Sequence, residues 1–295
     1  MTKQLEAILD GYRVTRGKGF RLRDIDPRDT GGLGKKFKAE AAELMEGAQA
    51  EMADLQDKLY AQDRWAVLLV LQAMDAAGKD GTIKHVMSGV NPQGCEVHSF
   101  KQPSTEELDH DFLWRAACRL PERGHIGIFN RSYYEEVLVV RVHPQLLTAQ
   151  HLPESASKKP WKQRYESIRG FERHLAQNGT AIRKFFLHVS KEEQKARFLE
   201  RLENPQKNWK FSPADVAERG HWDDYQQAYE DAIRTTATQS APWYVIPADN
   251  KWFMRLMVSA AIIDCLRSLK LHYPKADPAK REALTTSRDL LLAED

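Results

Sequence analysis

From residue 35 to residue 62 apolar side chains return every three or four positions (Phe37, Ala41, Leu44, Met45, Ala48, Met52, Leu55, Leu59), with Gly47 the one glycine and no proline. This spacing predicts one long amphipathic helix. The period then changes: Trp65 to Leu71 is apolar at every position, as in a strand buried on both faces of a parallel sheet. A turn, AMDAAGKDGT, ends it. A helix from Asp80 to Ser88, a short segment Cys95 to Phe100, a helix Ser104 to Leu120 and a strand Ile126 to Phe129 are expected next. Helix 161–178, strand Ile182 to Val189, helix Lys191 to Leu202, helix 222–237, strand Trp243 to Ile246 and helix 250–269 complete the alternation. Short apolar strands alternating with longer helices predict an α/β, doubly wound parallel sheet with flanking helices and right-handed crossovers.

Residues 1–34 hold Gly11, Gly17, Gly19, Pro27, Gly31, Gly32 and Gly34 and read as an irregular surface arm. The stretch Asn204 to Gly220 has weak apolar periodicity and two prolines, and reads as a mobile lid. The expected organisation is an arm and helix over 1–62 packed on the core, an α/β core over 63–275 with a lid at about 204–220, and a tail over 276–295.

Lys and Arg number 44 against 42 Asp and Glu, a net charge of +2, which excludes a polycation and an acidic disordered chain. The longest apolar run has seven residues, far short of the roughly 20 that cross a bilayer. Glu6 and Asp10 stand where a signal peptide carries its apolar stretch, so the expected compartment is the cytoplasm. Cys95, Cys118 and Cys265 form no CxxC pair, which argues against a disulfide framework or a zinc site.

A strand, a loop ending Gly78-Lys79 and a helix form the context of a Walker A loop, in which backbone N–H groups and a helix N-terminus wrap phosphate and the lysine adds a point charge. Ala76, Ala77, Gly78, Lys79, Asp80 and Gly81 are the candidate phosphate-binding residues. The strict pattern is not met, because Ala73 replaces its first glycine and Asp80 its Ser or Thr; a tight strand-to-helix turn is the alternative. Asp75 is repelled by phosphate oxygens unless a divalent cation lies between them, so the loop asks for magnesium, with manganese as a substitute, held directly or through water. An Asx turn is its other reading.

The second strand end, Phe129 to Glu136, faces this loop in a doubly wound sheet. Arg131 there is placed to clamp transferring phosphoryl oxygens, or to form a helix-end ion pair. Glu135 is a candidate beside it, or a complement to a helix dipole. Between Lys158 and Arg219 there are 15 Lys and Arg against 8 Asp and Glu, a surplus of seven that leaves minus five elsewhere. Lys207, Lys210 and Arg219 fall in the lid; Arg197 and Arg201, four apart, share a helix face with Lys195 nearby. A linear polyanion matches such a groove, and a solvated charged face is the plain alternative. Trp209, Trp222 and Tyr225 read as lid packing.

MDAAGKDG (74–81), HVMSGVNPQG (85–94), SFKQPSTEELDHDFLWR (99–115), FNRSYYEEVLVVRVH (129–143), NPQKNWKFSPAD (204–215) and APWYVIPADNKW (241–252) together resemble the second family of polyphosphate kinases. The resemblance runs from about residue 12 to 275. It implies a P-loop kinase-like fold with a helical lid and helical N-terminal extension, and transfer of the terminal phosphoryl group of inorganic polyphosphate to a nucleotide, in either direction. Asn130-Arg131-Ser132 followed by Glu135 resembles the branch that accepts both AMP and ADP; other branches carry Asp at position 130, which weakens a direct magnesium role for Asn130. By the resemblance, Asp75 and Lys79 belong to the Walker A site, Arg131 to the Walker B region, Lys207, Lys210 and Arg219 to the lid, and Lys101 to the hold on the chain. A homo-oligomer is expected, and neither a nucleic-acid nor a membrane partner. An ATP-dependent nucleotide kinase and a non-catalytic polyanion-binding module remain the rival readings.

Overall fold

The computed structural model describes residues 3–154 and 158–294. Its sheet has strands β1 (Arg13–Val14), β2 (Ala66–Ala73), β3 (Cys95–Ser99), β4 (Ile126–Asn130), β5 (Thr180–His188) and β6 (Trp243–Pro247), in the order β1-β6-β5-β2-β4-β3. All neighbours are parallel except β1 with β6. Every residue of β2 is buried, which is what its unbroken apolar run demands of a strand covered on both faces.

On one side the apolar helix α11 (Lys251–Ser268) lies against β5 and β6, backed by α2 (Lys35–Gln62) and by α3 (Lys79–Val86), with α1 (Lys3–Asp10) beside it. A second group, α6 (Val139–Val142), α7 (Pro160–Gln177) and α10 (Trp222–Thr236), packs together, α7 resting on β5. Pairing of Leu71 with both Asn130 and Phe185 brings the carboxyl ends of β2, β4 and β5 level, so the loops that follow them converge.

The arm is more ordered than its glycines suggest. Leu5 and Leu9 bury one face of α1, and Arg13 and Val14 pair with Tyr244 and Trp243. At Gly17 a Cβ would stand 1.7 Å from the Arg234 carbonyl oxygen, so the arm runs flush against α10. The helix expected over 104–120 is instead two single turns, α4 (Thr105–Leu108) and α5 (Trp114–Ala117). Ser104 and Glu107 close α4 with a capping box, and Asp111 Oδ1 accepts from the Leu113 amide, so polar side chains satisfy the backbone where a helix would have continued. Residues expected as a tail include the helix α12 (Pro278–Leu292). Helices α8 (Lys191–Glu203) and α10 flank the segment expected as a lid, and the short helix α9 (Pro213–Glu218) lies within it. Among the described residues no helix is long and apolar enough to cross a membrane.

Candidate active site

Residues 74–78 leave β2 in a tight loop and Lys79 opens α3. Gly78, at φ 108°, takes a conformation suited to glycine, but Ala76 at φ 60° does not, and a left-handed alanine costs about 1 kcal/mol. Arg197 holds the loop in that shape. Its Nη1 donates to the Ala76 and Ala77 carbonyls at 3.1 and 2.7 Å, its Nη2 to those of Ala248 and Asp249 at 2.7 and 3.1 Å, and its Nε to Glu193 at 2.8 Å. Gln194 adds a bond from Nε2 to the Asp75 carbonyl at 2.9 Å.

Arg197 therefore departs from the groove-lining place expected of it. It is 6% exposed and its guanidinium is spent on backbone carbonyls. Gln194 is a residue the sequence reading missed. The signal was present: 194, 197, 198 and 201 form one helical face, and that face carries Gln and Arg where a core-facing stripe is normally apolar.

Arg131 follows β4 at φ 64°, its amide donating to the Leu71 carbonyl at 3.0 Å. Its guanidinium donates to Asp75 Oδ1 at 3.0 Å and lies 3.9 Å from Glu135. Lys79 Nζ donates to the Ala73 carbonyl at 2.9 Å. Burial, joined by the charge of Arg131, pushes the Lys79 ammonium below its ordinary pKa. Burial raises the Glu135 carboxyl against the opposing pull of Arg131 and Lys79. Two cations and two carboxylates thus share one partly dry pocket.

Asn130 donates to Asp80 at 2.8 Å and lies 3.4 Å from Ser99 Oγ, tying the start of α3 to the ends of β4 and β3. A cavity of about 130 Å³ lies over Asp75, Arg131 and Glu135, walled by Gln194, Asp215, Glu218, Arg219, Tyr225 and Tyr229. Arg131 and Glu135 also line a second cleft of about 470 Å³, with Phe100, Lys101, Arg115, Tyr133, Val139 and His143 among its walls. Lys101 is exposed at its rim, and its carbonyl accepts from Arg115 at 2.8 Å.

Several expected groove cations already have partners. Lys207 pairs with Glu200, Arg201 lies 3.9 Å from Asp215 and over the Phe198 ring, and Arg219 donates to Gln194 Oε1 at 2.6 Å and to the Lys191 carbonyl. Lys210 sits 4.9 Å from the Trp209 ring centre. Trp222 and Tyr225 are buried as packing predicts, but Trp209 is 76% exposed and packs no core. Within the same basic stretch Arg164 bonds Glu136 at 2.8 Å, and the fully buried Lys184 bonds Glu172 at 2.6 Å. Glu172 in turn accepts from Tyr133 and Tyr134, so this network anchors the turn just after Arg131.

Among the described residues no three His, Cys, Asp or Glu side chains come together as a ready metal cage. The donor set beside the loop does suit a hard divalent cation. Asp75, Glu135 and Asp215 offer carboxylate oxygens close enough that Asp75 helps raise the pKa of the other two. Magnesium is commonly held by one or two carboxylates while substrate phosphates and water complete its shell.

Comparison with known proteins gives the family of the chain. The family described as Polyphosphate kinase 2 (PPK2) matches residues 35–274. The chain is 56% identical over 252 residues to an ADP-polyphosphate phosphotransferase of Rhodopseudomonas palustris, covering 85% of this chain and 87% of that one. It is 47% identical to an AMP/ADP-polyphosphate phosphotransferase of Meiothermus ruber over 92% of this chain and 97% of the relative. The crystal structure of polyphosphate kinase 2 from Arthrobacter aurescens TC1 superposes with a TM-score of 0.85 at 42% identity, covering 95% and 96% of the two chains.

Proposed function

This chain belongs to the polyphosphate kinase 2 family, and from that premise we propose that it moves the terminal phosphoryl group of inorganic polyphosphate to AMP and ADP, in either direction. The observation that carries the reading is the meeting of Arg131 and Asp75 where two clefts join, with the charge of Lys79 felt beside them. Polyphosphate enters beneath residues 204–220, its end against the amides of 76–81. The nucleotide occupies the 470 Å³ cleft beside Phe100 and Tyr133.

A phosphate oxygen of the acceptor attacks the terminal phosphorus as the anhydride oxygen departs with the shortened chain. One new anhydride forms as one breaks. Lys79 and Arg131 offset the charge that spreads over the transferred oxygens, and fixed positions supply most of the remaining acceleration. Asp75, with Glu135 beside it, would hold magnesium or manganese, whose chemistry here is to neutralise phosphate charge. Closure of residues 204–220, with Lys207, Lys210 and Arg219, over Arg201 of α8 keeps water from the reacting group. Arg197 shapes the loop and touches no phosphate. Three unpaired thiols agree with a reducing cytoplasmic setting.

The test is ATP formation from ADP, and ADP formation from AMP, with polyphosphate as sole phosphoryl donor. A protein that turns over only when a nucleoside triphosphate is supplied is an ordinary nucleotide kinase. One that binds polyphosphate without turnover is a polyanion-binding module.

A further inference from the structure

Lys184 lies in the middle of β5, paired with Val70 on one side and Trp243 on the other, and is fully buried. The residues after it, Phe185, Phe186 and Leu187, are apolar, as a strand covered on both faces requires. Its ammonium donates to Glu172 Oε2 at 2.6 Å, to the Thr236 carbonyl at 2.9 Å and to the Tyr134 hydroxyl at 3.0 Å, which uses every proton it has. A buried ion pair adds little to stability, because lost hydration offsets the attraction, and apolar side chains of similar volume commonly do as well. What such a pair does secure is the place of the groups bonded to it.

Those groups follow Arg131 in the chain. Glu172 Oε1 accepts from the Tyr134 hydroxyl at 2.7 Å and from that of Tyr133 at 3.0 Å. Ser132 Oγ accepts from the Tyr134 amide at 3.1 Å and from Gln72 Nε2 at 3.2 Å, which closes the same turn onto β2. Arg131 stands at the head of the turn with φ 64°, a left-handed conformation that an arginine keeps only where its surroundings determine it. Neither Lys184 nor Glu172 lines either cleft, and Tyr134 is fully buried as well.

We infer that the Lys184–Glu172 pair positions Arg131 for phosphoryl transfer: acting through Tyr133 and Tyr134, it holds the left-handed turn that brings the guanidinium to Asp75 and into the mouth shared by the two clefts. Lys184 and Glu172 are positioning residues and meet no substrate. The inference rests on the place proposed above for Arg131 in the reaction. Freed of the pair, residue 131 relaxes towards ordinary backbone angles, and its guanidinium leaves the point where charge develops in the transition state. Binding of the long chain, which other cations serve, changes far less.

The test is a double-mutant cycle on kcat with polyphosphate as donor. Lys184→Met with Glu172→Leu removes both charges together, so neither is left buried alone. With Arg131 present this lowers kcat by about tenfold or more, as small displacements of a catalytic group do, and leaves the KM for polyphosphate within about twofold. In an Arg131→Ala chain the same two changes alter kcat by less than about twofold, because the group they act through is gone. Tyr134→Phe, which removes one hydroxyl and keeps the ring, lowers kcat in the same Arg131-dependent way and decides the question where the double variant fails to fold. A loss by the same factor with and without Arg131 is a general loosening of the fold and overturns the inference. So does a normal kcat in either folded network variant beside a crippled Arg131→Ala, an outcome that leaves the proposed reaction standing. Near-normal turnover of Arg131→Ala overturns this inference together with the role given to Arg131.

Discussion

Asp75 and Arg131, 56 residues apart in sequence, meet at 3.0 Å across the carboxyl ends of β2 and β4. The pair joins the phosphate loop to the second strand end, and each partner sets the other's place. Arg131 keeps its charge because Glu135 and Asp75 favour the cation by more than burial disfavours it. An arginine so held is positioned before any substrate arrives.

Replacing Arg131 or Lys79 by alanine should lower turnover by about a hundredfold or more, the usual loss of about 3 kcal/mol for a donor that serves the transition state. The fold should survive, since neither side chain supports the core. Initial rates with saturating polyphosphate, alongside thermal melts, check both halves. Near-normal turnover would remove these residues from the reaction.

Asp75→Asn preserves the size of the side chain and its capacity to cap a turn, but removes the charge. The expected result is a loss of activity that extra magnesium partly restores. Unchanged kinetics at every magnesium concentration would leave Asp75 as a turn residue.

Arg197→Met and Arg201→Ala lie four residues apart and should behave very differently. Losing Arg197 strands four carbonyl oxygens and frees the strained loop, costing about 3 kcal/mol of stability and lowering turnover with it. Losing Arg201 from its partly exposed place should leave the melting temperature nearly unchanged and mainly raise the apparent constant for polyphosphate. Equal effects on stability would contradict the geometry.

The contrast also shows what a sequence can reveal. The strand β2 and the long helices followed from apolar period, because β2 is buried on both faces and helices such as α10 on one. Lys79, Asp75 and Arg131 were legible because strand ends in a doubly wound sheet converge. Counting cations between 158 and 219 was a poorer guide. Arg164, Lys184, Arg197 and Lys207 are each matched by an acid or a carbonyl, and the matching partners lie far off in sequence or on a helical face visible only in space. The break in 104–120 was hidden because its local Ser104–Glu107 and Asp111 bonds compete with a helix that periodicity alone would extend.

Neutralising Lys207, Lys210 and Arg219 together should weaken polyphosphate more than nucleotide and flatten the fall of polyphosphate affinity with salt, since each cation meeting a phosphate chain releases condensed counterions. Titrations of polyphosphate at several ionic strengths supply the slopes. Identical slopes in variant and wild type would make this a solvated face.

Stability should show an acid limb set by His188. Burial pushes its imidazole down from 6.5 to about 4, and Nδ1 finds no partner. The folded state holds it neutral while the unfolded chain protonates below about 6.5, so stability falls as pH drops from there towards 4, by about 3 kcal/mol in all. Urea titrations at several pH values should show that slope reduced in His188→Gln.

The two-residue strand β1 lies near the start of the chain and pairs with β6, near its end, through Arg13 with Tyr244 and Val14 with Trp243. On a ribosome the arm emerges before β6, with no strand to pair with until more than two hundred further residues have been made. Contacts of such long sequence separation form late, and domains assemble as synthesis proceeds from the N-terminus. The edge of the sheet therefore closes as one of the last events in the protein's birth. A chain released early keeps both the arm and the outer edge of β5 open to the wrong partner.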